Sequence, residues 1–350
     1  MRINVFINFK VKIIILLVIA LVISFFVYSI IIKFYVDSYL ESGSDLGRGE
    51  KIFEFYNTKI DDSSNKIYYL GHSSMKEDID ANLIDNLNDS FKNYNLGNPA
   101  STPLREVIEI NSIINSKPKA VVIGVGYMSF SNNWLFPYDQ YALISKYADL
   151  KKNNELILIY NETYREFLGM NKFKLLMYKR KFIYPATNYK INLLRYKFLG
   201  AEKPYSYKNY NGDFKSEGIL LQSNESYNPE FIKLLENKKS FYEYFVPSET
   251  NIEKYSFEFI IQRLLENDIK IIIVKIPLNP DLLEKISNES KNNFDAFLNG
   301  ISRKYNITIL DYTSSYSNFY FYDGHHLNIN GKKTFSKNLG LAVMRIVGEV

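Results

Sequence analysis

The chain offers few side chains for nucleophilic or acid–base chemistry, which makes the search for a site short. It contains no cysteine, so disulfides, thiol nucleophiles and Cys-based zinc sites are excluded. It contains three histidines, His72, His325 and His326, and any imidazole chemistry must use one of them. Two close the tetrad Asp323-Gly324-His325-His326; the third stands in Gly71-His72-Ser73-Ser74. A serine hydroxyl is a weak nucleophile and needs a neutral imidazole within hydrogen-bond reach to take its proton. A carboxylate on the other ring nitrogen fixes the tautomer and stabilises the imidazolium. Asp323 and His326 stand three apart, so the acid can orient the base locally. Glycines let backbone N–H groups approach an oxyanion, and each such donor is worth roughly 3–4 kcal/mol. Ser73 and Ser74 both qualify as the hydroxyl, and His72 remains an alternative base. A metal site made from the histidines and Asp323 is poorly spaced.

These groups must be held at the ends of regular elements, and the apolar pattern says which. KIYYL (66–70) reads as a strand that breaks at Gly71, and KNYNL (92–96) as a second, broken by Gly97-Asn98-Pro99. KAVVIGVG (119–126) and IKIIIVKIP (269–277) are continuous apolar runs of the kind buried in parallel sheets. ITILDY (307–312) is a further strand. Helical spacing covers 101–116, 248–267, 281–304 and the carboxyl-terminal tail, with another helix expected at 227–238. Strands alternating with helices predict a three-layer α/β/α sandwich around a parallel sheet. Ligands of open parallel sheets bind at the carboxyl ends of the strands. That is where Ser73, Gly97, Gly126 and Asp323 to His326 all fall.

Residues 13–32 run for a bilayer's thickness without a charge, longer than the apolar core of a secretory signal. Arg2, Lys10 and Lys12 precede the run and acids soon follow it. The expected layout is a cytoplasmic tail (1–12), a transmembrane anchor (13–32), a connector (33–63) and an extracytoplasmic domain (64–350) with an insertion at about 130–247. The net charge of +5 over 350 residues is too mild to indicate nucleic acid. Within the insertion, Phe167 to Lys208 is rich in lysine, arginine and aromatic residues. Two readings stand: a solvated insertion packed on the core, or a surface that rests on anionic lipid or a membrane partner.

The blocks Gly71-His72-Ser73, Gly97 and Asp323-Gly324-His325-His326, the last extended as HLNINGKKTFSKNL, resemble those of the SGNH hydrolase superfamily, the GDSL-type esterases. The resemblance frames residues 64–349. It implies a flavodoxin-like parallel sheet and a triad of Ser73, Asp323 and His326, with His325 a neighbour. It implies oxyanion donors from Ser73 and Gly97, with Gly126 and Asn98 beside them and Asn132 as a further candidate. Two positions depart from the pattern. His72 stands where the family has aspartate, and Gly126 where it has an asparagine that donates to the oxyanion. Anchored members imply a serine esterase or O-acyltransferase, acetyl being the expected acyl group, that acts on a cell-surface glycan or polymer beside a multi-span membrane O-acyltransferase. No cofactor, metal or nucleic acid is implied. The departures leave open a catalytically silent scaffold that binds a glycan or that membrane partner.

Overall fold

A computed structural model of the chain describes residues 11–28, 30, 45–58, 65–99, 101–130, 180–201, 213–215 and 251–348. The expected helix at 227–238, Asn132 and most of the 130–247 insertion lie outside the described residues. The chain divides into two compact units, Met1–Arg48 with Gly169–Tyr210, and Gly49–Leu168 with Asn211–Val350.

The first unit contains helix α1, Val11–Tyr28, with a mean hydropathy of 2.9 and none of it buried. It is long and apolar enough to cross a membrane, a property that a signal sequence near an amino terminus shares.

The second unit is the α/β domain. Helix α2 (Asp45–Thr58) leads to β1 (Lys66–Leu70), two short helices α3 (Ser73–Asp78) and α4 (Ala81–Asp85), then β2 (Lys92–Asn95). Helix α5 (Pro103–Asn115) and β3 (Ala120–Val125) follow. Helix α6 (Arg180–Leu199) belongs to the first unit. The chain then runs through α7 (Ile252–Leu265), β4 (Lys270–Lys275), α8 (Pro280–Lys285), α9 (Asn288–Tyr305), β5 (Thr308–Asp311) and α10 (Ile329–Val347). All strand pairs are parallel, in the order β2-β1-β3-β4-β5. This is the flavodoxin-like order, as expected.

Alternation along the strands builds two cores. Ile67, Tyr69, Val122, Ile272 and Val274 face Phe335, Leu339 and Val343 of α10 and Met75 of α3. On the other face Tyr68 meets Phe55 and Tyr56 of α2, with ring centroids 5.8 Å apart in both pairs. Helices α5 and α7 pack together on that side, α7 lying against β4. Burying each large apolar side chain contributes roughly 1.5–3 kcal/mol, so the sheet is clamped from both faces.

Two local departures have clear causes. The stretch 281–304 is two helices. Ile286 is extended and buried, and Ser287 caps the second helix by accepting from Ser290 N–H at 3.2 Å. The residues after β1 form α3 and α4, which are too short to show a helical period. Their signal is in the caps: His72 Nδ1 accepts from Ser74 N–H, and Asp80 accepts from Leu83 N–H at 3.1 Å.

Gly97 sits hard against α3. A Cβ there would fall 2.5 Å from Lys76 N and 2.9 Å from the Met75 carbonyl carbon, both backbone atoms that cannot step aside. Gly97→Ala should therefore destabilise the domain by about 1–3 kcal/mol. A urea melt should show a lower midpoint with an unchanged slope.

Candidate active site

The site has two halves that come from opposite ends of the domain. The first is the start of α3. Gly71 makes the turn out of β1 at φ +136°, where a Cβ would fall 2.7 Å from the Gly124 carbonyl oxygen. Ser73 is the first helical residue, and its N–H has no acceptor within the helix. The second half is the turn between Phe321 and Leu327, two fully buried residues that pair in an antiparallel bridge. Tyr322 N–H donates to the His326 carbonyl at 2.9 Å and closes the turn. Asp323, His325 and His326 project from it.

The structure brings Ser73, His326 and Asp323 into one hydrogen-bonded chain. His326 Nε2 lies 2.9 Å from Ser73 Oγ, and His326 Nδ1 lies 2.8 Å from Asp323 Oδ2. The other Asp323 oxygen accepts the N–H groups of His325 and His326, each at 2.8 Å. This local fixing is what the three-residue spacing led one to expect. Burial alone would raise the Asp323 carboxyl. The hydrogen bond and charge of His326 and the His325 N–H outweigh burial and hold it below the usual carboxylate range. Burial alone would lower His326, but the Asp323 hydrogen bond and charge hold it above the ordinary histidine value. Ionised Asp323 thus leaves Nδ1–H as the donor and Nε2 as the lone pair facing Ser73.

Ser74, the alternative hydroxyl, is buried and donates to the His325 carbonyl at 2.7 Å. It ties the two halves together and does not face His326. The His325 ring lies against His326 at a tilt of 44°, with centroids 4.0 Å apart. Ligand atoms of Asp323, His325 and His326 lie within 4.8 Å of one another, the spacing a metal ion needs. Both His326 nitrogens are already engaged, however, so a metal there would have to break the serine contact.

The oxyanion side differs from expectation. Gly97 N–H donates to Asn95 Oδ1 at 3.1 Å, Asn98 N–H to the Gly71 carbonyl at 2.8 Å, and Gly126 N–H to Ser129 Oγ at 3.0 Å. With its amide oxygen turned toward Arg105, Asn98 accepts two bonds from the guanidinium, at 2.5 and 2.6 Å. Three of the four expected groups therefore stabilise loops. Ser73 N–H is the one aligned by a helix start. The two departures from the family pattern also face each other, since a Cβ on Gly126 would lie 3.5 Å from His72 Nε2. His72 is buried and is no base. Burial, aided by the charge of His326, pushes it down to about 3, so it stays neutral. Its Nδ1 accepts from Ser74 N–H, which places the proton on Nε2, and Nε2 has no partner among the described residues.

Sequence reasoning missed the residues that hold the halves in register. Asp78, at the end of α3, accepts from Leu327 N–H at 2.8 Å and so fixes the histidine turn. Its second oxygen has no partner among the described residues, and burial raises its carboxyl to about 8. Asn95 Nδ2 donates to the carbonyls of Met75, Lys76 and Ile79 at 3.1, 2.9 and 2.9 Å, and caps the end of α3. Asn328 caps α10 and donates to the Phe319 carbonyl at 2.7 Å. An isolated Asp or Asn carries no sequence signal for such contacts. Near the triad, at the ends of β3 and β4, a shallow depression with room for little more than a water molecule is lined by Gly126, Met128, Ile276, Leu278, Phe294 and His325, among others.

The fold and this constellation define a flavodoxin-like α/β domain with a Ser-His-Asp chain at the carboxyl edge of its sheet. No family model and no curated protein sequence matches the chain. Among solved structures it is similar to one described as an acylhydrolase from Bacteroides fragilis NCTC 9343, at 12% identity and a TM-score of 0.35, covering 82% of this chain and 90% of that one. It is also similar to a lipase/acylhydrolase from Enterococcus faecalis, at 10% identity and a TM-score of 0.39, covering 81% of this chain and 95% of that one. At these values the functional reading rests on this chain's own geometry.

Three outcomes follow from the electrostatics. Because His326 must be neutral to act, ester turnover should rise with pH, with a midpoint above the ordinary value of 6.5 in a pH–kcat/KM profile. Asp323→Asn should reduce kcat by on the order of 10³–10⁴-fold, because the tautomer is no longer fixed. Asp78 behaves oppositely to an ion-paired acid. Its folded-state value lies above its unfolded value of 3.8, so it binds a proton in the folded state that the unfolded chain has lost. Its contribution to stability is therefore lost as pH rises from about 4 toward 8. Asp78→Asn keeps an acceptor for Leu327 and should be more stable than wild type at pH 8, with the gap closing by pH 5, in denaturant melts.

Proposed function

We propose that this chain is a serine esterase or O-acyltransferase of the SGNH type, anchored by α1 with its α/β domain on the extracytoplasmic side. The observation that carries the reading is the chain from Ser73 Oγ through His326 to Asp323, at 2.9 and 2.8 Å. These distances lie within the range for proton transfer before any substrate binds. Ser73 Oγ attacks the ester carbonyl carbon and gives its proton to His326 Nε2. The carbonyl oxygen becomes an oxyanion next to Ser73 N–H. The C–O bond to the leaving alcohol breaks, and His326 returns the proton to that oxygen. Acyl-Ser73 is then attacked by water, which yields an acid, or by a glycan hydroxyl, which yields a new ester. In either case His326 takes the proton from the attacking O–H and hands it back to Ser73. The apolar side chains of Ile276, Leu278 and Phe294 that line the depression beside His325 offer contact to a small acyl group. Cell-surface glycan is the proposed acceptor and a multi-span O-acyltransferase the proposed acyl supplier, both by the resemblance and by the placement of α1.

One observation favours a second reading. Gly97 and Gly126 commit their N–H groups internally, so the domain as built supports weaker oxyanion binding. A silent scaffold that binds glycan or the membrane partner would need no oxyanion hole at all.

The full chain in detergent should hydrolyse p-nitrophenyl acetate and react with a fluorophosphonate probe. Ser73→Ala and His326→Ala should each lower turnover by roughly 10⁶-fold, to the assay floor, and Ser73→Ala should abolish labelling. Labelling of Ser74 in the Ser73→Ala protein would reassign the nucleophile. Three folded and equally inert proteins would favour the scaffold.

A further inference from the structure

Helix α6, in the same compact unit as α1, carries a pattern that the esterase reading does not use. One side of it is packed, with Tyr189 9% exposed. On the other side Ile191, Leu194 and Phe198, spaced three and four apart, share one face. They are 43%, 55% and 77% exposed, and Leu199 at the helix end is 78% exposed. Exposed apolar stripes of this kind need a covering surface. The polar composition identifies it. Lys190 and Lys197 flank the stripe on one side and Arg195 on the other, and no acid occurs from Thr187 to Ala201. Long basic side chains beside an apolar stripe can lay their stems along an acyl layer while their heads reach phosphate groups.

We propose that α6 is a second membrane contact: an interfacial helix that rests its Ile191–Leu194–Phe198 face in the headgroup region of an anionic bilayer, beside the span formed by α1. This rests on α1 being a membrane anchor. An anchor holds the unit within reach of the bilayer, so a stripe this small suffices. A helix lying on the surface would also fix the orientation that a single span leaves free. Anionic lipid attracts basic residues held near its surface, which favours the flanking pattern found here.

The absence of native cysteine makes the test direct. Leu194→Cys, Phe198→Cys and, as an aqueous reference on α9, Asn299→Cys are made in the full chain. Each is labelled with an environment-sensitive fluorophore and reconstituted into phosphatidylcholine vesicles with or without 30% phosphatidylglycerol. All three positions are exposed, so folding is not at risk. Labels at 194 and 198 should be quenched several-fold more by brominated lipid than the label at 299, and shielded from iodide. Adding Arg195→Gln and Lys197→Gln should reduce the lipid quenching in the anionic vesicles. If 194 and 198 are as open to iodide as 299 while the protein floats with the vesicles, the interfacial helix is wrong and the anchor stands. Shielding from both quenchers would mean that protein covers the face, and would also overturn the lipid assignment. Failure to float with the vesicles would overturn the anchor and the interfacial helix together.

Discussion

A single hydrogen bond, from Leu327 N–H to the buried carboxyl of Asp78, holds the two ends of the domain in the register the site requires. Asp78 ends the helix that begins with Ser73, and Leu327 ends the turn that carries His326. A shift of about 1 Å between these segments would lengthen the Ser73–His326 contact beyond proton-transfer range. The supports around that bond all act on the same two pieces. Asn95 holds the three carbonyls at the end of α3. Ser74 reaches across to the His325 carbonyl. Ser336 of α10 accepts from Asp80 N–H at 2.8 Å and donates to the Asp78 carbonyl at 3.3 Å. The Ser73, His326 and Asp323 side chains are therefore positioned by side-chain-to-backbone hydrogen bonds that tie α3, α10 and the Phe321–Leu327 turn together.

The charge pattern divides the site in two. On the histidine side every acceptor is matched: Asp323 takes three donors, and the imidazole has one partner on each nitrogen. On the oxyanion side the matching runs inward, with glycine and asparagine amides serving neighbouring loops. The His72 imidazole lies over Gly126, where a Cβ would fall 3.5 Å from Nε2. On the proposed mechanism, Ser73 is thus paired with its base before substrate arrives, and charge stabilisation on the carbonyl oxygen would depend chiefly on the start of α3.

Much of this was legible from the residues alone, because it followed from periodicity and short-range spacing. Continuous apolar runs mark β3 and β4, and both are buried strands at the expected places. Asp323 and His326 need only a three-residue turn to meet, so that contact could be read without a fold. The pairing of Ser73 with His326 needed the parallel order of the sheet. What could not be read depends on single long-range contacts of ordinary residues. Asp78 and Asn95 look like any surface acid or amide. Helices α3 and α4 are shorter than two turns and leave no periodic trace. The internal engagement of Gly97 and Gly126 arises from side chains at Asn95 and Ser129 that no motif includes.

Ser73 and His326 are 253 residues apart in the chain. The nucleophile belongs to the first strand–helix junction of the sheet, whereas its base follows the last strand. Both the imidazole and the acid that orients it are therefore made last. On the proposed mechanism, a chain cut before Asp323 would keep Ser73 and lose the group that takes its proton.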